Sequence, residues 1–446
     1  MPWLLYSWPK WVTQKVICDQ CACWREFESL SHVLFFRILP SYIYSYRLTA
    51  HSPNELLPMT HIMRTALYSV FIGLLITAVG CSSTPQELED AGKPLPLDSF
   101  TKRVSFDKQW DRNVGAGQGK LYSRLTLAAM PEGICAASVN GRAACYDNQG
   151  DKIWARKLGA DISAGAGAGT GQVYVATTEG AVIGLNSDDG AELWRSELLS
   201  EILAAPQGAG DRLVVQTAEG RMVGLDSRSG SKVWEYKNDE PLLTLRGTAT
   251  PVIEDGVVYT GFASGKVVAV DLTTGSLIWD QAVAIASGTA EIERLVDIDA
   301  SPKLTSDAVY AASFNGNLFA FSKRNGSPLW RFETSTYREV DEGFGHVYLV
   351  DEESRIYSIN SRDGEQRWEQ SALLNRELSA PVVFAGYLLV ADNKGYLYAL
   401  SQVDGSLVGR KRVDGAGVRV PMRVADDQLY IYSNDGKLAA YTLQVR

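Results

Sequence analysis

The residues Val173-Tyr-Val-Ala-Thr-Thr-Glu-Gly180-Ala-Val-Ile-Gly-Leu-Asn186, followed by Asp189-Gly190-Ala-Glu-Leu-Trp194, decide the fold. Two runs rich in Val, Tyr and Leu flank a Glu-Gly turn, and an Asp-Gly turn leads into a third run that ends on tryptophan. Turns of this kind between short β-rich runs are hairpin signals. Apolar residues at 3.6 spacing, which a helical solenoid needs, are missing from these runs. A fourth run precedes each unit and often holds a proline, as at Ala205-Pro206, Thr250-Pro251, Ser301-Pro302, Ala380-Pro381 and Val420-Pro421.

The unit recurs about every forty residues from near residue 130 to the C-terminus. Trp154, Trp194, Trp234, Trp279, Trp330 and Trp368 each follow an X-Gly turn, at Gly150, Gly190, Gly230, Gly275, Gly326 and Gly364. The first turn of the unit recurs at Gly141, Gly180, Gly220, Gly265, Gly316, Gly395 and Gly436, with Ser354 in the same place in one divergent copy. Self-similarity at this period means one supersecondary unit stacked many times. Four short antiparallel strands per unit describe a propeller blade, so the expected fold is an all-β, eight-bladed β-propeller. The last unit ends at Arg446 without a tryptophan strand, while Phe106-Asp-Lys-Gln-Trp110 stands alone upstream. That N-terminal strand is expected to complete the last blade and close the ring, removing exposed edges. One copy breaks the rule, with Gly409 where tryptophan is expected.

A bulky residue six places before each first-turn glycine and a small one four places after it predict the strand register. The expected cross-strand pairs are Tyr174 with Gly184, Tyr259 with Ala269, Tyr310 with Ala320, Tyr348 with Ser358, and Tyr430 with Ala440. Cys135 and Cys145 occupy the same two places in the first unit.

The chain has 446 residues, 46% hydrophobic, with a formal charge of -9. It is large enough for an extensive core and too acidic for a nucleic-acid binder. Met63-Arg64, the apolar run Ala66–Val79 and Gly80-Cys81 compose a secretory signal over 63–80. Ala78-Val-Gly-Cys81 resembles the bacterial lipobox, in which the cysteine is acylated and becomes the new N-terminus; Ala78 replaces the more usual leucine. Ser82 in place of aspartate favours the outer membrane. Residues 81–99, with Pro85, Pro94 and Pro96, read as a flexible tether, and 100–446 as the propeller. Residues 1–62 carry no repeat and read as an upstream extension outside the mature protein. Their Cys18, Cys21 and Cys23 lack a fourth ligand at zinc spacing, so no metal is expected. In an oxidising compartment Cys135 and Cys145 form either a disulfide or two buried thiols.

Chemistry is sparse. The chain after the signal keeps one histidine, His346, which makes a Ser-His-Asp arrangement untenable. Ala164-Gly-Ala-Gly-Ala-Gly-Thr170 lacks the Lys-Ser/Thr ending of a phosphate loop and suits a crowded inner strand. Asp297-Ile-Asp299 places two carboxylates on one face of an expected strand. Successive repeat tryptophans lie 40, 40, 45, 51 and 38 residues apart, so two consecutive connections are stretched. They hold Glu240-Pro-Leu-Leu-Thr-Leu-Arg-Gly247 and Glu291-Ile-Glu-Arg-Leu-Val-Asp-Ile-Asp-Ala-Ser-Pro302, and should be neighbours on one rim. Binding concentrates on such loops over a rigid scaffold. Leu243, Leu245 and Arg246 combine apolar anchors with a fork of donors.

The repeats are similar to the pyrroloquinoline-quinone type. Together with the lipobox and the segments Leu243–Gly247 and Asp297–Pro302, they resemble the BamB family, lipoproteins of the outer-membrane β-barrel assembly machinery. Trp110–Gly117 and Asn315-Gly-Asn-Leu318 also fit. The resemblance implies a non-enzymatic, cofactor-free subunit anchored through Cys81 on the periplasmic side of the outer membrane. It implies docking on the POTRA domains of BamA beside the other machinery lipoproteins, and assistance to unfolded outer-membrane protein clients. The family's docking positions match Leu243, Leu245, Arg246, Asp297 and Asp299. Two alternatives remain: a lipid-anchored propeller for another envelope partner, and a quinone-dependent dehydrogenase, whose adjacent Cys-Cys pair has no counterpart here.

Overall fold

A computed structural model describes residues 92–119 and 124–446. The expected extension 1–62, the signal 63–80 and Cys81 lie outside the described residues. The compact unit Pro94–Arg446 is an all-β propeller of eight four-stranded antiparallel sheets. Blade 1 shows the pattern, from an inner strand Ala128–Met130 through Gly133–Ser138 and Arg142–Tyr146 to an outer strand Lys152–Lys157. Val104–Asn113 pairs with Lys437–Val445 and supplies the outer strand of blade 8, so the N-terminal strand closes the ring.

The register follows the large-against-small rule. Tyr174 faces Gly184, Tyr259 faces Ala269, Tyr310 faces Ala320, Tyr348 faces Ser358 and Tyr430 faces Ala440. Cys135 faces Cys145 with Cα atoms 4.1 Å apart, and the two sulfurs are bonded. The small residue makes room for the tryptophan of the outer strand: a Cβ on Gly184 would sit 2.4 Å from the Trp194 ring.

The same tryptophans join neighbouring blades. Trp154 Nε1 donates to the Ser187 carbonyl of blade 2 at 2.7 Å, and its ring lies over Gly190 in the turn before that blade's outer strand. Gly190 has φ +70°, and an added Cβ would meet Trp154 at 2.5 Å. The motif therefore couples one blade's tryptophan to the next blade's glycine. It repeats from Trp110 on Gly150 to Trp368 on Gly405.

Gly409 now has a reason. The turn its tryptophan would cover in blade 8 does not exist, because both ends of the ring meet there. The Arg103 amide donates to the Val408 carbonyl at 2.8 Å, and the Arg446 amide to the Arg103 carbonyl at 2.8 Å. A Cβ at Gly409 would lie 3.0 Å from the Val104 carbonyl, which leaves no space for an indole. Ile162–Gly169 is an inner strand, as its small residues suggest.

Each blade presents two kinds of connection on one face: the turn between second and third strands, and the passage from its outer strand to the next inner strand. The opposite face carries the remaining turns.

Candidate docking site

The two long passages are residues 238–251, between Lys232–Lys237 and Val252–Glu254, and residues 283–302, between Leu277–Ala282 and Lys303–Leu304. Both are of the outer-to-inner type, so they emerge on one rim, and they touch. The Leu245 amide donates to Asp297 Oδ1 at 2.8 Å.

Asp297–Asp299 forms no strand, a correction to the sequence reading. The segment is wedged between two turns and makes single bonds to each instead of a ladder. Ile298 N donates to the Phe262 carbonyl at 3.2 Å, and Phe314 N to the Asp297 carbonyl at 2.9 Å. Ile298 packs onto Gly261, where a Cβ would lie 2.1 Å from its Cγ2. Asp299 lies against Gly247, where a Cβ would stand 2.0 Å from Oδ2. The stretch is thus held by two glycines with no room for a side chain.

Burial separates the five expected residues. Leu243 is 48% exposed, Leu245 half-buried and Arg246 exposed, whereas Asp297 is 0% and Asp299 7% exposed. The two aspartates therefore lie beneath the rim, while Leu243, Leu245 and Arg246 stand nearer its surface. Burial, then the neighbouring Asp299 charge, pushes the Asp297 carboxyl up to about 7. Burial pushes Asp299 up to about 6, against the opposing pull of Arg124. Burial also raises Glu240. Asp297 Oδ2 is buried without a hydrogen-bond partner, consistent with a carboxyl that holds its proton readily.

Several contributors were not singled out from sequence. Arg246 Nη2 pairs with Glu201 Oε1 at 2.7 Å, on the preceding rim passage. Arg124, from the passage that follows the closing strand, donates to the Asp299 carbonyl at 2.9 Å and pairs with Glu339. Leu242 is fully exposed beside Leu243, and Ile285 (81%) and Ile292 (45%) are exposed on the second passage. Asn315 Nδ2 donates to the Ile292 and Leu295 carbonyls at 3.3 and 3.2 Å, and Asn317 Nδ2 to the Val283 carbonyl at 3.3 Å, clasping that passage. Partners so far apart in sequence leave no local signal, although Asn315-Gly-Asn317 carried a family trace. His346 opens a strand, half-buried, with Nδ1 3.0 Å from the Phe344 carbonyl.

What this geometry offers is a recognition surface: apolar side chains and a guanidinium on loops braced by buried carboxylates. A family profile described as "Outer membrane protein assembly factor BamB" matches residues 139–370 and 352–444. The outer membrane protein assembly factor BamB of Pseudomonas aeruginosa is 47% identical over 379 residues, covering 84% of this chain and 99% of that one. Its namesake from Escherichia coli strain K12 is 36% identical over 374 residues, covering 81% and 95%. The crystal structure of BamB from Moraxella catarrhalis superposes with a TM-score of 0.70 at 29% identity, covering 76% of this chain and all of that one. A quinohemoprotein alcohol dehydrogenase from Comamonas testosteroni aligns with TM-score 0.58 at 13% identity, which shows a shared fold alone. On the profile and these relatives, the chain belongs to the BamB family of outer membrane protein assembly factors.

Proposed function

We propose that this protein is a non-enzymatic subunit of the β-barrel assembly machinery, held on the periplasmic side of the outer membrane by acylated Cys81. It docks through the rim passages 238–251 and 283–302 on the POTRA domains of BamA, beside the other lipoproteins, and assists the assembly of β-barrel clients. The names of the relatives support the role. The observation that carries the docking assignment is the exposed Leu242-Leu243 pair and Arg246 on a loop pinned by buried Asp297. Exposed apolar anchors beside an arginine on a fixed backbone have the composition of an interface hot spot. Arg246 adds orientation more than affinity, since its exposed pair with Glu201 is a weak competitor for a partner carboxylate.

The test is co-purification from detergent-solubilised envelope, with protein started at Met63. Leu243→Asp should lower BamA recovery by roughly tenfold or more, the loss of one hot-spot anchor. Undiminished recovery overturns the docking assignment. Retention in the membrane fraction of Cys81→Ala combined with Leu243→Asp, which removes docking as a second hold, overturns the anchor.

A further inference from the structure

The residues just before the closing strand do not hang free. Leu97 is half-buried and packed against the apolar cluster shared by blades 6 and 7, whose members include Leu373, Leu378, Tyr398 and Leu400. The Leu95 carbonyl accepts a hydrogen bond from Arg376 Nη2 at 2.6 Å. The Arg376 side chain is 13% exposed, and its charge partner Asp392 is 4.0 Å away. Leu95 thus supplies a neutral acceptor to a mostly buried cation, a contact costly to leave unmade.

The direction of this segment follows from the fold. Val104 pairs with Val445, and Arg103 bonds Val408 at the start of blade 7's outer strand, all on the face opposite the docking passages. Arg376 lies in the passage from blade 6 to blade 7, and its carbonyl accepts from Asn393 in a second-to-third-strand turn. Both belong to the docking rim. Residues 94–103 therefore climb the side of the disc and leave it on the same rim as Leu243 and Arg246.

We propose that Leu95 and Leu97 form a seat that fixes the exit of the lipid tether on the docking rim, so that this rim, and not the opposite face, is carried toward the bilayer. The proposal rests on the anchoring of Cys81. Thirteen residue steps separate Cys81 from Pro94. Thirteen residue steps of any chain span at most about 45 Å, and an unconstrained chain of that length averages roughly 20 Å end to end. That is comparable with the roughly 20 Å that a six-residue strand places between the two faces, so the point of exit decides which face leads.

The test uses mature acylated protein in vesicles containing an acceptor-labelled lipid, with a donor dye at Lys394→Cys on the docking rim or at Val403→Cys on the opposite face of the same blade. Transfer from Lys394 should exceed transfer from Val403 by about twofold or more, given the strand-length separation of the faces. Leu97→Asp with Arg376→Ala should abolish the difference while circular dichroism stays unchanged. Equal transfer in the unsubstituted seat, or more from Val403, overturns the seat with anchoring intact. A mass spectrum of the mature protein without lipid on Cys81 overturns the anchoring reading and the seat with it.

Discussion

The amide of Leu245 donates to Oδ1 of Asp297 across 2.8 Å, so a fully buried carboxylate sets the path of an exposed loop. Asp297→Ala removes the acceptor and leaves the amide unpaired, a cost of about 1–3 kcal/mol. Affinity for a purified POTRA fragment, followed by calorimetry, should fall roughly five- to hundredfold although Asp297 is buried. Asp297→Asn keeps an acceptor and should stay near the parent value. Equal losses in both variants would point to a direct charge contact instead.

A second prediction concerns pH. The Asp297 carboxyl at about 7 and Asp299 at about 6 both lie above the ordinary aspartate value of about 4. The folded chain then binds more protons than the unfolded one between roughly pH 4 and 7. Stability should fall as pH rises through that window and level off above it. Urea midpoints at about pH 5, 6 and 7.5 should show a shallower decline for Asp297→Asn than for the parent. Parallel profiles would refute the assignment.

The tryptophan clasp makes a paired prediction. Gly190→Ala places a Cβ 2.5 Å from Trp154 at φ +70°, whereas Gly210→Ala at φ +58° meets nothing within 4 Å. Both incur the left-handed cost of about 1–2 kcal/mol. Gly190→Ala should lose about 1–3 kcal/mol more, from overpacking between blades. Equal denaturation midpoints would mean that the clasp adds nothing to stability.

The bond between Cys135 and Cys145 closes a loop with a sequence separation of 10. Reduction, or Cys135→Ser with Cys145→Ser, should cost about 2–3 kcal/mol and lower Tm by several degrees. Mass spectrometry of unreduced peptides from periplasmic protein gives the direct check, since alkylated thiols at both positions would show that the bridge does not form in the cell.

What could be read from the sequence was whatever the repeat enforced. Eight copies of one hairpin pattern gave the blade number, and the tyrosine-to-small spacing gave the register to the residue. Blade 8 was legible because Trp110 stood where a repeat residue was missing. The site was legible as two stretched passages, because a repeat makes an insertion visible. Side-chain direction within them was not. Leu242 is more exposed than Leu243, and Asp297 is buried, since residues outside any strand obey no alternation. The Arg246–Glu201 pair joins consecutive passages, and the Arg124–Glu339 pair joins passages with a sequence separation of 215, so neither leaves a local signal. Gly409 looked like a lapse in the motif and proved to be the mark of the chain ends.

That junction has a mechanical consequence. Any pull along the N-terminal arm arrives at Arg103 and Val104, where the propeller is fastened by main-chain bonds and lacks an indole clasp. The contacts at Leu95 and Leu97 stand in series ahead of it. A pull along the arm therefore loads them before it reaches the strand that closes the circle, and their release would lengthen the arm.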